Sequence, residues 1–157
     1  MQFAIDALAI VAALCTAVIF GTDVLAAVVL RPAFRDLDDA TLVRITGLSH
    51  RFGTARLPLP GILSVVAAVA TAAVAFASGT PQAGTVAAAG LACLLVWLIL
   101  FNRISLPINK TLIAASESGE TLPNARALQD RWESIIDLRS VLQGLALLAF
   151  CVAIALV

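Results

Sequence analysis

The sequence predicts an all-α integral membrane protein, a four-helix antiparallel bundle whose third and fourth helices extend past the bilayer into the cytoplasm. Three observations predict it. First, 61% of the 157 residues are hydrophobic, 13% are charged, and the mean hydropathy is +1.03. A soluble domain of this size cannot hide that much apolar surface. Second, four windows, about 4–30, 57–77, 84–101 and 139–157, are apolar enough to cross a hydrocarbon core of roughly 30 Å. Lipid-facing strands outside a closed barrel would leave backbone groups unpaired, so these spans read as helices. Third, all ten Lys and Arg residues fall in two stretches, five within 31–56 and five within 103–139. The positive-inside rule then places the connections 31–56 and 102–138 in the cytoplasm and both termini outside.

The first span opens "MQFAIDALAIVAALC", with Asp6 and no basic n-region, and it runs past the length of a signal-peptide core. It therefore reads as a retained helix. The connection after it contains "LDDATLVRITGLSHRF", whose Leu42, Ile45, Leu48 and Phe52 predict an amphipathic helix at the interface or over the bundle. "RLPLPG" breaks the chain before the second span. Spans two and three are rich in alanine and glycine, which lets helices approach closely in lipid. The turn between them, "SGTPQAG", carries no charge.

The third span is predicted to run past Pro107 to about Ser116, kinked at the proline. The fourth helix is predicted to start at an Asn124 cap and to run to the end of the chain, on the order of 50 Å at 1.5 Å per residue. An antiparallel hairpin turning near Gly119 and Glu120 sets Asn102 opposite Arg139 and Asn109 opposite Trp132. Residues seven apart share a helix face, so both pairs are expected on one face at the cytoplasmic membrane edge.

Candidate chemistry concentrates there. Asn102, Asn109 and Arg139 could hold a carbonyl or phenolate oxygen in a low-dielectric pocket, with Trp132 stacking on a planar ligand. The competing structural reading is plain: polar residues at a helix end satisfy free carbonyls, Arg snorkels and Trp anchors at the interface. Asp23 lies seven residues before the end of its span at Leu30. An intramembrane carboxylate is a candidate base or proton carrier, or else one half of an ion pair with Arg31, Arg56 or Arg139. His50, the lone histidine, is a candidate acid or base. One histidine cannot ligate haem from both sides, and no His and carboxylate cluster has metal-site spacing, so no metal is expected. Cys15, Cys93 and Cys151 lie in separate spans without a CxxC pair and read as buried small side chains.

The run "NRISLPINKTL" followed by "RWESIIDLRSVL" resembles the anthrone-oxygenase-like family of small four-span membrane proteins. The matching positions are Asn102, Pro107, Asn109, Trp132 and Arg139. Ile136 departs from the pattern, standing where the family often carries a polar residue between the Trp and the Arg. The resemblance implies a bacterial inner-membrane protein and a cofactor-independent oxygenation of an anthrone to an anthraquinone. In that reading Arg139, Asn102 and Asn109 are oxyanion donors, Trp132 is a wall of the pocket, and His50 or Asp23 is the base.

The implied partners are the lipid bilayer and a lipophilic or aromatic small molecule, with no nucleic acid. Two other classes stay open. One is a non-catalytic accessory or scaffold subunit, docking on a membrane protein or on its own copy. The other is a small proton-coupled transporter that uses Asp23.

Overall fold

The computed structural model describes residues 1–157 as five helices and no strands. We number them α1 (Gln2–Arg35), α2 (Asp39–Arg56), α3 (Pro58–Ala77), α4 (Pro81–Ser118) and α5 (Ala125–Ala155). α1, α3, α4 and α5 are each long and apolar enough to cross a membrane. They form a closed ring in which α1 packs on α3, α3 on α4, α4 on α5 and α5 back on α1. At 1.5 Å per residue, the 38-residue α4 is about 57 Å long, so it outruns the bilayer.

Small side chains fill the ring: Ala9, Ala12, Ala68, Ala75, Ala87 and Ala146 are fully buried. Many large ones point outward, with Phe3 85%, Leu14 64% and Leu148 59% exposed, while Ile5, Leu94 and Phe150 are buried among the alanines. A water-soluble bundle would do the reverse. This arrangement suits lipid, where close contact between small residues holds helices together. Gly90 is one such contact, since a Cβ there would lie 2.9 Å from the Phe150 ring.

The hairpin turns α3–α4 and α4–α5 end alike. Gly79 and Gly119 adopt left-handed backbone (φ 75° and 72°), and the next amide, of Thr80 or Glu120, returns to the carbonyl of Ala75 or Ala115. Pro58 and Pro60 open α3 one residue after α2 ends. A proline in the first helical turn loses no hydrogen bond, which is why "LPLP" both stops one helix and starts the next.

Irregularities lie at the basic end. α1 widens to a π-turn over Ala26–Leu30 and α4 over Phe101–Ser105. Each π-turn ends two residues before a proline, Pro32 or Pro107. Proline lacks the N–H and its ring crowds the carbonyl four residues back, so the helix takes up the misfit by widening upstream. The irregularity predicted at Pro107 is thus a π-turn ahead of it, and α4 continues to Ser118. α5 begins at Ala125 as the sequence suggests, but Asn124 makes no side-chain cap and a turn at 134–135 interrupts the helix.

Beyond the ring, α2, the end of α4 and the start of α5 form a cap. Asp38 opens α2 by accepting the Thr41 amide at 2.9 Å and its hydroxyl at 2.6 Å. Arg126 donates to the Phe34 and Leu37 carbonyls at 2.8 and 2.7 Å, placing a cation on the free end of α1. The predicted stripe on α2 is corrected. Leu42 is buried, but Ile45, Leu48 and Phe52 are 37–49% exposed, and Val43, Thr46 and Gly47 take the inner face. The reason is steric: α2 packs on α4 where Gly47 meets Ser116 and the Leu112 carbonyl, and a Cβ on Gly47 would overlap both.

Gly47→Val is expected to pry α2 off α4 at a cost of about 1–3 kcal/mol. Limited proteolysis in detergent should then cut within residues 36–58 under conditions that leave the wild-type chain intact.

Candidate functional site

Where ring meets cap, the small-residue core gives way to a cavity of about 840 Å³ bounded by all five helices. Its walls are mostly apolar, including Ile62, Val65, Trp97, Leu98 and Phe101. Asp23, His50, Asn102, Asn109, Trp132 and Arg139 all line it.

Asp23 and Arg139, 5% and 4% exposed, form an ion pair of 2.7 Å between α1 and α5. The second Asp23 oxygen accepts from Gln143 Nε2 at 2.8 Å, and Arg139 Nη1 donates to Ser105 Oγ on α4 at 2.6 Å. Three helices are thereby joined through one buried polar cluster. The guanidinium also lies 5.3 Å from the Trp132 ring and 5.5 Å from the Phe101 ring, where aromatic faces favour a cation. With both oxygens engaged, Asp23 is an anchor for Arg139.

Asn109 accepts a 2.9 Å hydrogen bond from Trp132 Nε1. Asn102 does not meet Arg139: it is exposed and donates back to the Leu98 carbonyl at 2.8 Å. Helical arithmetic explains the difference. Seven residues of plain α-helix return to within about 20° of the same face, but one extra residue in the π-turn adds roughly 100°. Asn102 and Asn109 therefore part, and Ser105 arrives where Asn102 was expected.

His50, partly buried on α2, lies 5.5 Å from the Trp132 ring with the planes tilted by 43°. Burial, with the nearby Arg139 charge adding to it, pushes its pKa down from 6.5 to about 4. The imidazole is therefore neutral at pH 7. Its Nε2 is enclosed and has no partner.

Ser105, Gln143, Trp97 and Phe101 belong to the site and are not apparent from sequence reasoning. Gln143 had a signal, being a polar residue one turn after Arg139 in an apolar run. Ser105 had a weaker one: it stands four residues before Asn109 and so on the same helical face, which Asn102 shares until the π-turn moves it away. As chemistry, the lining offers hydrogen bonds from amide, indole, imidazole and guanidinium groups. Its two carboxylates are engaged within the protein, Asp23 by Arg139 and Gln143 and Glu133 by Gln129, so the set suits an oxygen-bearing organic molecule better than a metal ion.

Two outcomes follow. Asp23→Leu leaves the Arg139 charge buried without a partner and is expected to cost about 3–5 kcal/mol, most of it recovered when Arg139→Met is added. Unfolding midpoints of the single and double variants in detergent check this. For His50, the unfolded chain takes up a proton near pH 6.5 and the folded chain only near pH 4. The unfolded state binds more protons across that window, so stability falls as pH drops from 6.5 towards 4. Melting temperatures across this range should show the decline in the wild type and a flatter profile in His50→Gln.

Comparison with protein-family models, with curated proteins and with solved structures finds no match to this chain.

Proposed function

We propose that this membrane protein binds a planar, lipophilic small molecule in the cavity between ring and cap, and that the reaction it supports is cofactor-independent oxygenation of an anthrone-type substrate. The observation that carries this reading is the cavity itself. It is mostly apolar, of a volume typical for small-molecule sites at roughly 300–1,000 Å³, and it gathers His50, Asn109, Trp132 and Arg139 from the cap and two ring helices.

In such a reaction the substrate loses a proton, and the resulting enolate passes electrons to O₂. One oxygen atom becomes the new carbonyl and the other leaves in water. The protein's share is to bind the ring system, stabilise the enolate oxygen and accept the proton. His50, neutral at pH 7, supplies a lone pair on Nδ1 for the proton, since its Nε2 is enclosed. Its low basicity makes it a weak base alone, so it relies on Asn109 and Arg139 to acidify the bound substrate. We read the basic end as cytoplasmic in a bacterial inner membrane, with both termini outside. The engagement of both Asp23 oxygens supports anchoring over proton carriage, which favours this reading above the transporter.

Purified protein in detergent should consume O₂ with anthrone faster than detergent alone. His50→Phe should lower the rate by about 10²-fold, in the range of general-base catalysis. Uptake equal to the detergent background would remove the oxygenase, and equal rates in His50→Phe would remove His50 as the base.

A further inference from the structure

Asn109 is 5% exposed and lines the cavity. Its amide has a defined orientation. The Trp132 indole N–H can only donate, so the group it meets at 2.9 Å must be the Asn109 oxygen. The Asn109 nitrogen then points away from Trp132. It makes no hydrogen bond within the protein and is not among the enclosed polar atoms, so it opens on the cavity with two free N–H groups.

Trp132 itself is poorly placed to be a stacking platform. Its N–H is engaged, Arg139 lies over its ring at 5.3 Å, and His50 leans on it at 5.5 Å. The unpaired atoms of the other lining residues, Arg139 Nε and Trp97 Nε1 as donors, Gln129 Oε1 as an acceptor, and His50 Nε2 and Thr54 Oγ1, are all enclosed, so none of them opens on the cavity as the Asn109 nitrogen does. The Asn109 nitrogen is therefore a donor that a molecule in the cavity meets at this point of the wall.

We infer that Trp132 is a positioning residue, whose indole N–H locks the Asn109 amide with its nitrogen towards the cavity, so that the site favours molecules presenting an oxygen acceptor at that point over those presenting a donor. This rests on the cavity being a ligand site, and it names the polarity of the ligand there. A flat aromatic ketone fits. A flat aromatic amine held in the same pose would set N–H against N–H at Asn109 and leave both unpaired there, which is the costly arrangement.

Three tricyclic probes of similar shape separate the cases: 9-fluorenone, which only accepts, carbazole, which donates through N–H, and fluorene, which does neither. Their partition into nanodiscs holding the full chain is measured against empty nanodiscs by equilibrium dialysis, which removes the lipid contribution. The expected result is fluorenone binding about tenfold more tightly than carbazole, the scale of one good hydrogen bond against one unmet donor.

In Trp132→Phe the ring remains but the lock is gone. The amide can turn, and the ratio of the two affinities should fall towards one. In Asn109→Asp one oxygen still accepts from Trp132 and the other faces the cavity as an acceptor, so the preference should invert towards carbazole. A merely structural role for either residue would weaken all three probes together and leave their ratio unchanged. Equal affinities for fluorenone and carbazole in the wild type, with both above empty nanodiscs, would overturn the inference and leave the binding site standing. No binding of any probe above empty nanodiscs would overturn both.

Discussion

A carboxylate and a guanidinium meet at 2.7 Å inside a bundle cored mainly with alanine, and each is about 95% withdrawn from solvent. In lipid neither charge tolerates isolation. The pair is therefore obligatory once both residues are present, and it draws α1 and α5 together at one height. Ser105 and Gln143 complete it, so α4 is fixed to the same level. The other features of the basic end are arranged around this point. Phe101 and Trp132 flank the guanidinium, Trp132 holds Asn109, and His50 rests on Trp132. A contiguous set of contacts thus runs from a carboxylate within the ring to a histidine in the cap.

The cavity exists because the two halves of the molecule pack by different rules. In the ring, Ala and Gly bring backbones close and leave little room. Around the ion pair the side chains are large, and the space between them is bridged by α2, which is held at Gly47 by backbone contact and at its start by Asp38. The result is a roof resting on one side. α2 packs closely on α4 and meets α3 only lightly, so the apolar interior is covered without being filled.

Much of the fold was legible in the chain. Four apolar windows, two glycine turns and the clustering of every Lys and Arg residue suffice for a four-helix ring with one polar end. Hairpin register alone places Asn109 opposite Trp132, because only a turn at Gly119 and about ten residues of helix on either side intervene. Legibility failed where a helix stopped being α. Asn102 and Arg139 were paired by the same arithmetic, yet the π-turn over Phe101–Ser105 intervenes and Ser105 receives the arginine. It failed again on α2, where apolar periodicity pointed to Leu48 and Phe52 while a glycine decided the packed face. Hydrophobic pattern reports which residues avoid water. In a membrane protein it says little about which of them face protein, since lipid is an equally good neighbour.

The π-turn in α4 has a consequence for how the two halves can vary. Trp97 and Asn109 both face the cavity although they are twelve positions apart, a spacing that would leave them about 120° apart on an uninterrupted helix. One residue more than an α-helix needs, absorbed between them, reduces that to about 20°. The π-turn works as a phase shifter between two rulers, one measuring the membrane half of α4 and the other its cap. Because α1 carries a π-turn beside the same ion pair, both long helices are re-indexed at the level of the site. Substitutions that slide the ring's packing by a residue need not rotate the cap with it, and the contacts over the cavity can drift in sequence independently of those within the membrane.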